Sequence, residues 1–136
     1  MNPNLARLFQ IARKPERRVI GLMSGTSLDG LDVALCRIAG SGPDTRMELE
    51  KFATLDYPAA FRERVREVFA KRAIDQQVLC GLNAFIGLAH GNLVNEALRM
   101  WKTEASDIDL IASHGQTVYH APQRIARDGN YPNSTL

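Results

Sequence analysis

Hydrophobic periodicity in this chain switches near Pro58, and the switch constrains its class of fold. Before Pro58 the apolar residues recur every second position, as in strands. Residues 18–24 (RVIGLMS) read as a short buried strand. In 30–38 (GLDVALCRI), Leu31, Val33 and Leu35 share one face and Asp32, Ala34 and Cys36 the other. Residues 46–54 (RMELEKFAT) set Met47, Leu49 and Phe52 against charged neighbours. The connections are short, so the three strands are expected to form an antiparallel meander.

Beyond Pro58, itself suited to a first helical turn, Phe61, Val65, Val68 and Phe69 follow at helical spacing. Asp75 is the expected N-cap of a longer helix, with Ile74 and Leu79 placed as a hydrophobic staple. Its stripe runs through Leu82, Phe85, Ile86, Ala89, Leu93, Val94, Ala97, Leu98 and Trp101. Gly81, Gly87 and Gly91 interrupt it; Gly87 and Gly91 share a face, which predicts either close approach of another backbone or a bend between two helices. Leu110, Ile111 and Ala112 then read as a buried strand. A strand reached through helices is normally parallel to its neighbour, which makes the chain α/β.

The length of 136 residues suits one domain, and 45% hydrophobic residues suffice for a core. Seventeen basic residues nearly balance fifteen acidic ones, so no broad basic face for nucleic acid is expected. Cys36 and Cys80 lie far apart, which fits small buried hydrophobes in a reducing cytoplasm better than a disulfide scaffold. No run reaches the roughly 20 apolar residues of a membrane span, so no membrane partner is expected. Residues 1–17 mix Arg7, Arg13, Lys14 and Arg17 with Leu5, Leu8, Phe9 and Ile11. They lack a secretory h-region and read as an amphipathic arm before a domain spanning 18–136.

Two loops could carry chemistry. The first is SGTSLDGLD, residues 24–32. It has the spaced glycines of a Walker loop without the Lys and Ser/Thr that should follow, and Asp29 breaks any G-x-S-x-G pattern. Gly25 and Gly30 leave main-chain N–H groups open to an anion, and Ser24, Thr26 and Ser27 add hydroxyl donors. Asp29 and Asp32 offer hard oxygen to Mg²⁺, directly or through water. The competing reading is a plain hairpin turn, with Asp29-Gly30 supplying positive φ angles.

The second loop, ASHGQTVYHAP (112–122), leaves the carboxyl end of the presumed parallel strand, where open α/β sheets bind ligands. His114 and Gln116 could hydrogen-bond a polyol there. His114 and His120 lack the spacing of a metal pair, and adjacent Ser113 and His114 point apart. Here the competing reading is a loop that merely turns the chain.

Together, GLMSGTSLDGLDVAL and DLIASHGQTVYHAP strongly resemble the anhydro-N-acetylmuramic acid kinases of the sugar kinase/Hsp70/actin superfamily. YPNSTL resembles the start of a third family segment, which continues TLQIGD. The resemblance covers residues 18–136 and implies the N-terminal part of an actin-like ATPase (ribonuclease H-like) domain. It also implies an ATP- and Mg²⁺-dependent enzyme of cell-wall recycling. That enzyme opens the 1,6-anhydro ring of anhydro-N-acetylmuramic acid with water and phosphorylates O6. Residues matching the first phosphate loop are Gly25, Thr26, Ser27, Leu28, Asp29, Gly30, Leu31 and Asp32. Those on the sugar side are His114, Gln116 and Thr117.

Members of that family are much longer. Their general-base Asp, second phosphate loop and adenosine segments lie downstream of any residue here. The resemblance therefore implies that no catalytic base stands in this chain, that the sequence is cut, and that the chain alone is inactive. The alternative is a non-catalytic phosphate-binding or assembly module left by truncation, for which a homodimer is one arrangement.

Overall fold

A computed structural model describes residues 2–121 and 134–135. The chain begins with a helix, α1 (Pro3–Ala12), capped by the Asn2 side chain. It continues as strands β1 (Glu16–Ser24), β2 (Gly30–Ala39) and β3 (Arg46–Asp56). Helices α2 (Ala59–Arg66) and α3 (Gln76–Trp101) follow, then β4 (Leu110–Ser113). A two-stranded ribbon pairs β5 (His120–Ala121) antiparallel with β6 (Ser134–Thr135). The main sheet has the order β3-β2-β1-β4. β1, β2 and β3 form the expected antiparallel meander, and β4 joins β1 in parallel. The N-terminal arm is mostly helical, and β1 starts at Glu16 rather than Arg18.

Strand alternation decides which residues the helices cover. Ile20 of β1, Leu31, Val33 and Leu35 of β2, and Leu55 of β3 are buried in one core with Phe61, Val65 and Val68. From α3 the core takes Leu82, Val94, Ala97 and Leu98. Burying each large aliphatic side chain contributes about 1.5–3 kcal/mol.

Met47, Leu49 and Phe52 do not join this core; each is more than half exposed. A bulge between Leu35 and Cys36 shifts the β2–β3 register, so Leu49 pairs with Cys36 and Phe52 with Ala34. All three side chains then fall on the face of the sheet turned away from Leu35 and α3. The alternation was there to read in the sequence, but the bulge that redirects it was not.

Asp75 caps α3 by accepting hydrogen bonds from the N–H groups of Gln77 (2.7 Å) and Val78 (3.4 Å). The helix runs unbroken for 26 residues and ends at Lys102 in the left-handed conformation. No atom outside the helix backbone and the glycines' own neighbours lies within 4 Å of a Cβ built on Gly81, Gly87 or Gly91, so no backbone approaches them among the described residues. By length and composition α3 could cross a membrane, which qualifies the expectation from apolar runs alone. Here it is the helix that closes the core.

At the far end of the sheet, Glu50 receives both Arg18 (2.8 Å) and Arg37 (2.8 Å). Asp109 ties the start of β4 to the arm, accepting from Lys14 and from the Arg18 N–H (3.0 Å).

Candidate functional site

The loop between β1 and β2 is a hairpin connection, but its unusual residue is Leu28. Leu28 has φ of +57° and is 3% exposed. A left-handed conformation is costly for a leucine. Here it turns the side chain down into the core beside Leu31, leaving Thr26 and Ser27 exposed above. Neither Asp29 nor Gly30 carries the positive φ expected of them. Gly30 is required for another reason: a Cβ there would meet the Leu55 carbonyl oxygen at 2.7 Å. Leu28 and Leu31 thus belong to the loop as anchors, with side chains packed in the core.

Asp29 is exposed and organises the loop's outer rim. Its carboxylate accepts from the Ser27 hydroxyl (2.7 Å) and the Gly30 N–H (3.1 Å), and its carbonyl accepts from the Tyr57 N–H (3.0 Å). The Ser27 hydroxyl in particular holds the Asp29 carboxyl below its usual range, so it stays ionised. Asp32, half-buried, accepts from the Thr54 hydroxyl at 2.6 Å. Among the described residues no three His, Cys, Asp or Glu side chains gather as a metal cage. Asp29 and Asp32 are two separate carboxylates beside hydroxyls, a donor set that could hold a divalent cation only through water or other ligands.

The second loop arrives at the same place. Gly115 has φ of +75°, a conformation that glycine adopts without strain, and it turns the chain just past β4. Gln116 then reaches back over 90 residues of sequence. Its side-chain nitrogen donates to the Gly25 carbonyl (3.2 Å) and to the Thr117 carbonyl (3.1 Å), while its oxygen accepts from the Ser24 hydroxyl. The Ser24 N–H donates to His114 Nε2 at 3.4 Å. Thr117 takes part through its backbone.

His114, Gly115 and Gln116 line a groove of about 340 Å³ against Asn83 and Ile86 of α3. On the opposite face of the sheet, His114 borders a shallow concavity with Met23, Asp32 and Ala34. The two loops flagged in the sequence therefore form one site.

Ser24 is expected from the sequence to be a hydroxyl donor to an anion, and the structure assigns it another role; Tyr57 and His90 were not singled out from sequence. Ser24 is 1% exposed, and its hydroxyl proton is committed to Gln116, so it is not an open phosphate donor. Behind it lie Tyr57 (2% exposed) and His90 (5%). Tyr57 Oη is 2.7 Å from Ser24 Oγ and 2.9 Å from His90 Nε2. Phe61 stacks on the Tyr57 ring with centroids 3.9 Å apart. Burial, above all, pushes the Tyr57 hydroxyl up, and the Asp32 and Asp29 charges add to it, so Tyr57 keeps its proton. His90 could have been found: it falls four residues from both Ile86 and Val94, a polar residue on an apolar stripe.

Comparison with known proteins gives the family. The family model for anhydro-N-acetylmuramic acid kinase matches residues 17–129. A protein of Pseudoalteromonas atlantica named anhydro-N-acetylmuramic acid kinase is 50% identical over all 136 residues, which cover 34% of that relative. Proteins of the same name from Bacillus thuringiensis and Caldanaerobacter subterraneus are 41% and 38% identical. They align over 87% and 96% of this chain and over 30% and 33% of their own lengths. The chain thus spans about a third of the curated relatives it matches, and it belongs to the anhydro-N-acetylmuramic acid kinase family.

Proposed function

We propose that the full-length protein containing this segment is an ATP- and Mg²⁺-dependent kinase acting on anhydro-N-acetylmuramic acid. Water adds at C1, the C1–O6 bond of the anhydro ring breaks, and O6 takes the γ-phosphoryl group. ADP and N-acetylmuramic acid 6-phosphate leave, a cytoplasmic step of cell-wall recycling. In this reading the exposed rim from Gly25 to Asp29 binds phosphate through its amides and hydroxyls. Gly30, Leu31 and Asp32 continue it into β2. Mg²⁺, when bound, neutralises phosphate charge, with Asp29 and Asp32 holding its waters. His114, Gln116 and Thr117 face the amino sugar.

The supporting observation is the direct tie between the two loops, Gln116 to Gly25 and Ser24. Phosphoryl transfer depends chiefly on positioning and charge neutralisation, and this tie sets one binding segment against the other. The general base and the adenosine site lie in the remainder of the protein, so the 136-residue chain alone should not turn over.

The test is Asp29→Ala in the full-length kinase. KM for MgATP should rise roughly ten-fold or more, the scale of losing a charge-assisted contact. Unchanged ATP kinetics would remove the loop from phosphate binding. The exposed Met23, Met47, Leu49 and Phe52 favour a second reading, an assembly module whose open sheet face is covered by another chain. A monomer that folds cooperatively by itself would count against it.

A further inference from the structure

The hydrogen bonds behind the two loops form a chain whose direction can be worked out. Gln116 presents its amide nitrogen to two carbonyls, those of Gly25 and Thr117. Carbonyls only accept, so the amide orientation is settled and Oε1 faces Ser24. Ser24 has one hydroxyl proton and gives it to Oε1. The Ser24 oxygen must therefore accept from Tyr57, whose single proton is then spent. Tyr57 in turn must accept from His90, so the His90 proton lies on Nε2. The opposite direction would set the Ser24 and Gln116 lone pairs against each other. Four side chains from β1, the segment after β3, α3 and the segment after β4 are ordered by one-proton arithmetic.

We propose that Tyr57 and His90 are positioning residues that orient Ser24 to hold the Gln116 amide. They thereby keep segment 114–117 in register with loop 25–30. Behind the half-buried Gln116, the inner members Ser24, Tyr57 and His90 are buried and lead away from the open rim, and Phe61 braces Tyr57. A core filled only for packing would not need three polar groups in series, each costly when left unpaired. Burial pushes the His90 imidazole below its usual range, with the nearby His114 adding to it, in keeping with a neutral ring. The kinetic consequence rests on the kinase reading above; the proton order does not.

The experiment uses the full-length protein labelled uniformly with ¹⁵N, compared with Tyr57→Phe, His90→Leu and His90→Gln. The ring of His90 should be neutral with its proton on Nε2, and a proton on Nδ1 would overturn the proposal. His90→Leu keeps bulk but cannot donate, whereas His90→Gln restores an N–H donor. Tyr57→Phe and His90→Leu should shift the Gln116 side-chain amide signals and raise KM for the amino sugar roughly ten-fold or more. KM for MgATP should stay within about two-fold, since the Ser27 and Asp29 side chains of the rim keep their own hydrogen bonds. His90→Gln should recover most of the loss. Equal behaviour of His90→Leu and wild type would reduce the chain to packing. Should the wild-type protein show no turnover, the kinase reading fails, and the His90 tautomer and Gln116 signals still decide the proposal.

Discussion

Gly30 shows how a residue can be recognised for the wrong reason. Asp29-Gly30 reads as a hairpin dipeptide, for which left-handed angles would be expected. The left-handed residue is instead Leu28, and Gly30 is needed because β3 passes too close for a Cβ. Gly30→Ala should therefore destabilise the fold by about 1–3 kcal/mol through overpacking, measured as a lowered denaturant midpoint with unchanged m-value. A neutral substitution would mean that Leu55 and Thr54 can move aside. No local pattern reveals that the Leu55 carbonyl lies opposite Gly30, since they come from different strands.

At the scale of elements, α3 was the most legible part of the chain. Its start is written in Asp75, whose carboxylate satisfies two helix N–H groups, and its stripe names most of its buried residues. Asp75→Ala should cost about 0.5–2 kcal/mol, read from the urea midpoint, whereas Asp75→Asn should be nearly silent. Its glycines were misread because a small residue on a helix face allows close approach but does not bring a partner to it. β3 was misread at its first half for a different reason. One extra residue at the bulge inverts which side chains face α3, and only pairing with β2 reveals it.

For the molecule as a whole, buried and paired titrating groups make stability depend on pH. His90 is held below its ordinary value of 6.5, mainly by burial, so the unfolded chain binds the proton more readily. Its contribution is complete above pH 6.5 and is lost as pH falls through 6.5 toward the folded value. The Glu50 and Asp109 carboxyls are lowered chiefly by Arg37 and Lys14 respectively. Their contributions hold above their ordinary values of 4.5 and 3.8 and disappear at lower pH. Thermal melts between pH 7.5 and 5.5 should show a fall in Tm that His90→Gln reduces. Equal slopes for the two proteins would show that His90 is not protected from protonation.

The order of strands and helices from β1 to β4, the antiparallel meander, the parallel β4 and the family could all be read from the sequence. Each rests on local periodicity, on turn and cap residues, or on contiguous motifs. The tertiary structure alone decided that the two loops form one site, that Leu28 anchors the first of them, and that Ser24, Tyr57 and His90 stand behind Gln116. The hydrogen bonds among Ser24, Tyr57, His90 and Gln116 join residues 33 to 92 positions apart, and such pairings leave no periodic trace in the chain that makes them.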